Sequence, residues 1–161
     1  MSPGASRPNE QRRVAIATIA GKSGTKTSGR ATFTEANGKV TMLLEVENAS
    51  PGAHAVHLHE KGDCSDDSAK AAGDHWNPTT MQHGKMDNGM SHSGDIGNIT
   101  IGSDGKGRIE MTTDLWSVSS DAKKGIIGHS IIVHLKADDF VSQPSGNAGG
   151  RIGCGVITYE P

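Results

Sequence analysis

GRATFTEANGKVTMLLEVE, residues 29–47, is the stretch on which the fold turns. In 29–36, Ala31, Phe33 and Glu35 alternate with Thr32 and Thr34. In 39–47, Val40, Met42, Leu44 and Val46 occupy every second position. A period of two puts one set of side chains on one face of an extended strand. Asn37-Gly38 between the two runs is the turn pair that accepts the positive φ of a tight hairpin. The stretch therefore reads as two antiparallel strands, with Val40, Met42, Leu44 and Val46 toward a core.

The same reading extends outward. Arg13–Ala20 (RVAIATIA) alternates and precedes a Gly/Ser/Thr/Lys turn; NASPG at 48–52 breaks the third strand, and His54–Glu60 forms the fourth. Asp95–Ile101, Arg108–Asp114, His129–Lys136 and Gly150–Tyr159 follow, separated by the turn GSDGKG, a connection over Leu115–Gly128 and an irregular loop over Ala137–Gly149. Eight strands without a helix of normal length predict an all-β domain. A closed or nearly closed antiparallel barrel is the economical arrangement, because it leaves no bare sheet edge.

Composition agrees. Glycine is the commonest residue at 22 of 161, hydrophobic residues make up 33%, and five residues are aromatic, a profile of short strands and many turns. The length predicts one domain, residues 12–161, preceded by a disordered tail at 1–11 rich in Pro, Ser, Gly and charge. A formal net charge of −2 gives no electrostatic support for nucleic-acid binding. No apolar run is long enough for a transmembrane helix. MSPGASRPNEQRR has no apolar core and is not a signal peptide as it stands, so the chain is expected to be intracellular or to have lost its signal.

Between the fourth and fifth strands lies HLHEKGDCSDDSAKAAGDHWNPTTMQHGKMDNGMSHSGD, residues 57–95, which holds five of the eight histidines and one of the two cysteines. Its Gly, Asp, Asn, Ser and Pro content forbids persistent regular structure. His57 and His59, one residue apart in a strand, leave the same face and form a chelate. His75, His83, His92 and Asp95 follow, and His134 stands on a distant strand. Six histidines and a carboxylate exceed what one tetrahedral metal uses, so two metals or a shared ligand are implied. An all-imidazole set suits copper; imidazole with carboxylate suits zinc. Cys64 and Cys154 belong to no CxxC motif, and read as two buried thiols or as one disulfide pinning the loop to the last strand.

VHLHEKGDC, GDHWNPTTMQHG, HSGDIGNIT, IIGHSIIVH, KADD and GNAGGRIGCGVI, in this order, resemble the copper–zinc superoxide dismutases over most of the chain, from about Val14 to Tyr159. The resemblance implies an eight-stranded Greek-key β-barrel or sandwich, with two long loops forming the metal site. It implies copper on His57, His59, His75 and His134, and zinc on His75, His83, His92 and Asp95, with His75 as the bridge. It further implies Arg151 as the residue that holds the anionic substrate, Asp138 as a carboxylate linking His57 to His83, and a Cys64–Cys154 disulfide. The implied reaction is dismutation: one superoxide reduces Cu(II) and leaves as dioxygen, while a second oxidises Cu(I), takes two protons and leaves as hydrogen peroxide. His75 would take up and return a proton in the cycle.

Two departures from the family matter. The loop 137–149 carries FVSQPSG where many members have charged, lysine-bearing residues, so steering of superoxide falls to Arg151, Lys136 and the metals. Cys64 follows His59 by only five residues, a spacing similar to the bacterial exported branch. That favours a periplasmic or secreted enzyme, with a cytoplasmic one as the alternative. His54 and His129 are expected to be hydrogen-bonded strand residues rather than ligands, and Trp76 to pack beneath the loop. Met81, Met86 and Met90 are expected to fill the loop, a soft Cu(I) site being the sharper alternative. The family's dimers use different surfaces in different branches, so a homodimer is an open expectation. The rival reading of the whole chain is a copper-binding or copper-delivery protein on the same fold.

Overall fold

The computed structural model describes residues 13–86 and 91–161; the expected tail at 1–11, and Met90 of the methionine group, lie outside them. The strands are β1 (Arg13–Gly21), β2 (Ser28–Ala36), β3 (Lys39–Glu47), β4 (Gly52–His59), β5 (Asp95–Ile101), β6 (Gly107–Thr113), β7 (Ser130–His134), β8 (Arg151–Val156) and β9 (Thr158–Tyr159). All pair antiparallel, in the order β5-β4-β7-β8-β1-β2-β3-β6. The connections β3 to β4 and β6 to β7 each cross to the opposite wall, which is the Greek-key feature.

Asn37 and Gly38 both have positive φ and close the β2–β3 hairpin, with Phe33 opposite Met42. Val40, Met42, Leu44 and Val46 face inward and are buried with Ala15, Ala17, Ile19, Ala31 and Phe33. The barrel is nearly closed where β5 meets β6. A Cβ on Gly107 would lie 2.5 Å from the Thr100 carbonyl oxygen, so glycine lets the two edges approach.

The last strand differs from the expected Gly150–Tyr159. Pairing with β7 ends at Val156, and Thr158–Tyr159 turns to pair with β1 as β9. Buried Ile157 marks the change of partner. Trp116, in the connection after β6, is fully buried edge-on to Phe33 and donates its Nε1–H to the Ser93 carbonyl at 2.7 Å. An indole that stoppers the core and also holds the loop ahead of Asp95 gives no periodic signal in sequence.

Cys64 and Cys154 are joined in a disulfide across 90 residues. With Ala69, Ala72 and Ile132 they form a small apolar cluster outside the main core. The only helical piece among the described elements, the 3-10 turn Lys70–Ala72, belongs to it. Closing a loop of this length removes chain entropy worth about 4–5 kcal/mol from the unfolded state. Cys64→Ser and Cys154→Ser are each expected to lower unfolding stability by about that amount in urea titrations; a loss below about 1 kcal/mol would show that the loop is held by other contacts.

Candidate metal centre

The site lies on the outer surface of the barrel wall, roofed by the long loops. Along β4, Val56 and Leu58 point into the core while His57 and His59 point the other way. The whole end of β4 is nevertheless buried, because the loop covers its outer face. On β7 the same alternation sends Val133 inward and His134 outward, opposite Arg151 of β8.

A closed set of three backbone hydrogen bonds fixes the loop on this wall. Leu58 N–H donates to the Gly94 carbonyl at 2.8 Å, Gly94 N–H to the Trp76 carbonyl at 3.0 Å, and Trp76 N–H to the Leu58 carbonyl at 2.9 Å. Each of these residues neighbours a candidate ligand: His57 and His59, Asp95, and His75. Gly94 is required here, since a Cβ would lie 2.3 Å from the Leu58 oxygen.

Two donor sets result. His57, His59, His75 and His134 bring one ligand atom each to within 4.8 Å of one another, and so do His57, His75, His83 and Asp95. Within the first set, His57 Nδ1 is 2.9 Å and His59 Nε2 is 3.4 Å from His134 Nε2. The far nitrogens are occupied: His57 Nε2 by Asp138 at 2.7 Å, His59 Nδ1 by the Gly73 carbonyl at 2.8 Å, and His134 Nδ1 by the Gly149 carbonyl at 3.4 Å. Donation on the far side leaves each near-side nitrogen as a lone pair. Lone pairs at these separations repel unless a cation lies between them.

The second set holds His57 where the expected zinc set has His92, and His92 stands beside the same carboxylate. Asp95 Oδ1 is 3.0 Å from His75 Nδ1, 2.9 Å from His83 Nδ1 and 3.4 Å from His92 Nδ1, and His75 Nδ1 is 3.2 Å from His92 Nδ1. A tetrahedral metal with ligands at about 2.0–2.1 Å has vertices about 3.3–3.4 Å apart, so these donors fit one. Among the described residues, the buried side-chain atoms without a hydrogen bond are His75 Nε2 and His83 Nδ1, the latter close to Asp95 Oδ1 but without hydrogen-bond geometry. Both are ligand atoms of the expected sets. His75 belongs to both, with Nδ1 toward Asp95, Nε2 unpartnered, and its ring 3.8 Å from that of His57.

Asp138 accepts from His57 through Oδ2 and from His83 through Oδ1, both at 2.7 Å. It is held from β5 by Asn98, whose Oδ1 accepts from Asp138 N–H at 2.7 Å and whose Nδ2 donates to the Asp138 carbonyl at 3.2 Å. Gly146, with φ +74°, passes so close that a Cβ would lie 2.0 Å from Asp138 Oδ1 and 2.5 Å from His83 Nε2. Sequence reasoning missed Asn98, Gly94 and Gly146; only the GN of DIGNIT and the glycines of the motifs hinted at them.

Burial depresses the protonation of His57, His59 and His134, the last two strongly. It also lowers His75 to about 4, because an imidazolium loses its water there. His83 goes the other way: burial opposes its charge, but the hydrogen bond to Asp138 and the adjacent Asp95 carboxylate raise it to about 9. Asp95 and Asp138 lie well below the ordinary carboxylate value, their imidazole hydrogen bonds outweighing burial.

A cavity of about 630 Å³ opens over the histidines, lined among others by His59, His75, His134, Glu60, Asp74 and Arg151. Arg151 is half-buried and aimed by donation from Nη1 to the Ala69 carbonyl at 2.8 Å.

Residues 27–157 match the family model described as copper/zinc superoxide dismutase. The chain belongs to the copper/zinc superoxide dismutase family. A Cu-Zn superoxide dismutase of the bacterium Caulobacter vibrioides is 39% identical over 137 residues, covering 82% of this chain and 79% of that protein. A crystal structure described as that of the clock protein EA4 superposes with a TM-score of 0.81 at 35% identity, covering 99% of this chain and all of that one. The enzyme converts superoxide to dioxygen and hydrogen peroxide and uses copper and zinc; the copper-delivery alternative is not favoured. No helix among the described residues is long and apolar enough to cross a membrane.

His54 is buried and hydrogen-bonds the His134 and Ser50 carbonyls, so it supports a ligand strand without joining the site. Trp76 is buried and stacks on His129 at 4.7 Å. Met81 is exposed and Met86 packs on the core, and neither belongs to either donor set.

The His83 shift gives a signed prediction. In the metal-free protein His83 keeps its proton up to about pH 9, against 6.5 in the unfolded chain, so it contributes stability below pH 6.5 that is lost as pH rises through 9. A zinc ion held by His83 Nδ1, as the expected set has it, would displace that proton. Between pH 7 and 8.5, binding is expected to release about one proton and to tighten about tenfold per pH unit, as read by calorimetry in buffers of different ionisation heat. Release of no proton would place zinc away from His83.

Proposed function

We propose that copper is held by His57, His59, His75 and His134, and zinc by His75, His83, His92 and Asp95, with His75 shared and Arg151 receiving superoxide in the cavity. The observation that carries this assignment is the pair of unpartnered buried nitrogens, His75 Nε2 and His83 Nδ1, within two converging donor sets. When bound, copper supplies the one-electron cycle between Cu(II) and Cu(I), which zinc cannot.

The protein's own residues do the rest. The Arg151 guanidinium offers a permanent charge and fixed donors to a small anion beside His59 and His134. His75 Nε2, buried and without a hydrogen bond, is the atom placed to hold and return a proton, while Asp95 and His92 flank the ring on its Nδ1 side. Asp138 keeps protons on the far nitrogens of His57 and His83, so their near nitrogens remain free for metal. The β-barrel supplies strands for four of the proposed ligands, His57, His59, Asp95 and His134, and the long loop supplies the other three.

Long-range steering is weak in this reading. Glu60 and Asp74 line the same cavity as Arg151, and their charges oppose its field. Exposed charges at such distances are also screened by salt. We read residues 12–161 as one domain, and the enzyme as periplasmic or secreted, where a disulfide persists; a bacterial relative is consistent with that. Its oligomeric form, with a homodimer as the open expectation, is read from the solution mass.

Metal analysis of the purified, loaded protein is expected to give one copper and one zinc per chain; zinc alone would overturn the redox assignment. Arg151→Ala is expected to cut superoxide consumption in pulse radiolysis by at least about tenfold with copper content unchanged, the effect of losing one charge-assisted contact. The wild-type rate should change less than about twofold between low and physiological salt. A steep fall with salt would mean that charges beyond the cavity steer the anion.

A further inference from the structure

One side chain of the loop 137–149 reaches the loop that carries His83. Gln143 makes a reciprocal pair with the backbone of a residue sixty positions earlier. Its Oε1 accepts from His83 N–H at 2.8 Å, and its Nε2 donates to the His83 carbonyl at 2.9 Å. The same Nε2 donates to the Val141 carbonyl at 3.0 Å, which fixes the amide plane. The assignment of Oε1 and Nε2 is forced by the partners, since a backbone N–H can only donate and a carbonyl only accept.

We propose that Gln143 is a positioning residue for the zinc site: it latches the main chain of His83 while Asp138 orients its ring. His83 stands in a stretch without helix or strand, on a loop with no other cross-loop backbone bond at that residue among the described hydrogen bonds. An imidazole whose backbone is free to drift by an ångström does not keep its nitrogen at a tetrahedral vertex. Gln143 supplies both partners that a β-ladder would have supplied. It also ties His83 to the wall of the substrate cavity, because Pro144 and Ser145, the next two residues, line that cavity. The reading rests on His83 as a zinc ligand.

Gln143 is exposed and fills no core space, so its removal leaves the barrel intact. The first test needs no metal. In metal-free protein, hydrogen exchange at the His83 amide should speed up by about tenfold in Gln143→Ala, the effect of losing two partly exposed hydrogen bonds. Gln143→Glu keeps the acceptor for His83 N–H but sets a carboxylate against the His83 carbonyl, so its exchange should fall between wild type and Gln143→Ala. Unchanged exchange in Gln143→Ala overturns the latch. The second test is zinc release to an excess of chelator from the fully loaded protein. Gln143→Ala is expected to bind one zinc per chain and to lose it about tenfold faster, with Gln143→Glu again between. Release within twofold of wild type overturns the positioning role even where exchange has changed. His83→Ala separates the two readings: if it retains zinc with wild-type stoichiometry and rate, the ligand assignment fails, while the exchange result still decides the latch.

Discussion

One buried carboxylate sets the geometry on which the metal centre depends. Asp138 gives one oxygen to His57 and the other to His83, both at 2.7 Å. Those two histidines come from opposite ends of the design, one on a barrel strand and the other on the irregular loop. A rigid planar group with two acceptors is the shortest tie between them, and it fixes which nitrogen of each ring is free. A carboxylate buried this deeply would be costly if its hydrogen bonds were incomplete. Asp138 completes them with a further backbone donor, Phe140 N–H at 2.8 Å. Gly146 must stay bare for the same reason, because any side chain there would occupy the space of the hydrogen bond to His83.

The centre lies outside the hydrophobic core, and this division explains how a chain with few large apolar residues buries all six candidate-ligand imidazoles. Inside the barrel, the inward faces of the strands pack around Phe33, Met42, Leu44 and Trp116. Outside, the outward faces of β4 and β7 present His57, His59 and His134 to the loops. The strand period of two separates the chemistry from the packing by one residue at a time: Val56 from His57, Leu58 from His59, Val133 from His134. A register slip of one residue would exchange the two sets, so the same hydrophobic alternation that stabilises the barrel also fixes the ligand positions.

Much of this was legible in sequence because it depends on residue chemistry and short periods. The β2–β3 hairpin followed from alternation and Asn37-Gly38, and the histidines and Asp95 stood out by type and spacing. The motifs supplied Asp138, Arg151 and the cysteine pairing by resemblance. What escaped reading depends on backbone hydrogen bonds made across long separations. Asn98 and Gln143 are ordinary polar residues until their partners, the main chains of Asp138 and His83, are placed beside them. The break at Ile157 escaped because GRIGCGVITY is continuous in pattern, and only the competition of β7 and β1 for the same strand divides it.

The disulfide completes the argument by acting on the substrate side. Cys64 and Cys154 anchor a small cluster with Ala69, Ala72 and Ile132, away from the ligands. The Ala69 carbonyl, presented from a residue with φ +57°, is the one that accepts Arg151 Nη1. A guanidinium has several donors and a flexible stem, so its direction is set only if something rigid takes one of those donors. Here the rigid element is a loop segment tied covalently to β8, the strand that also carries Arg151. The cross-link thus fixes the carbonyl and the arginine relative to each other. The arginine of the cavity is thus aimed by a part of the long loop that belongs to neither donor set.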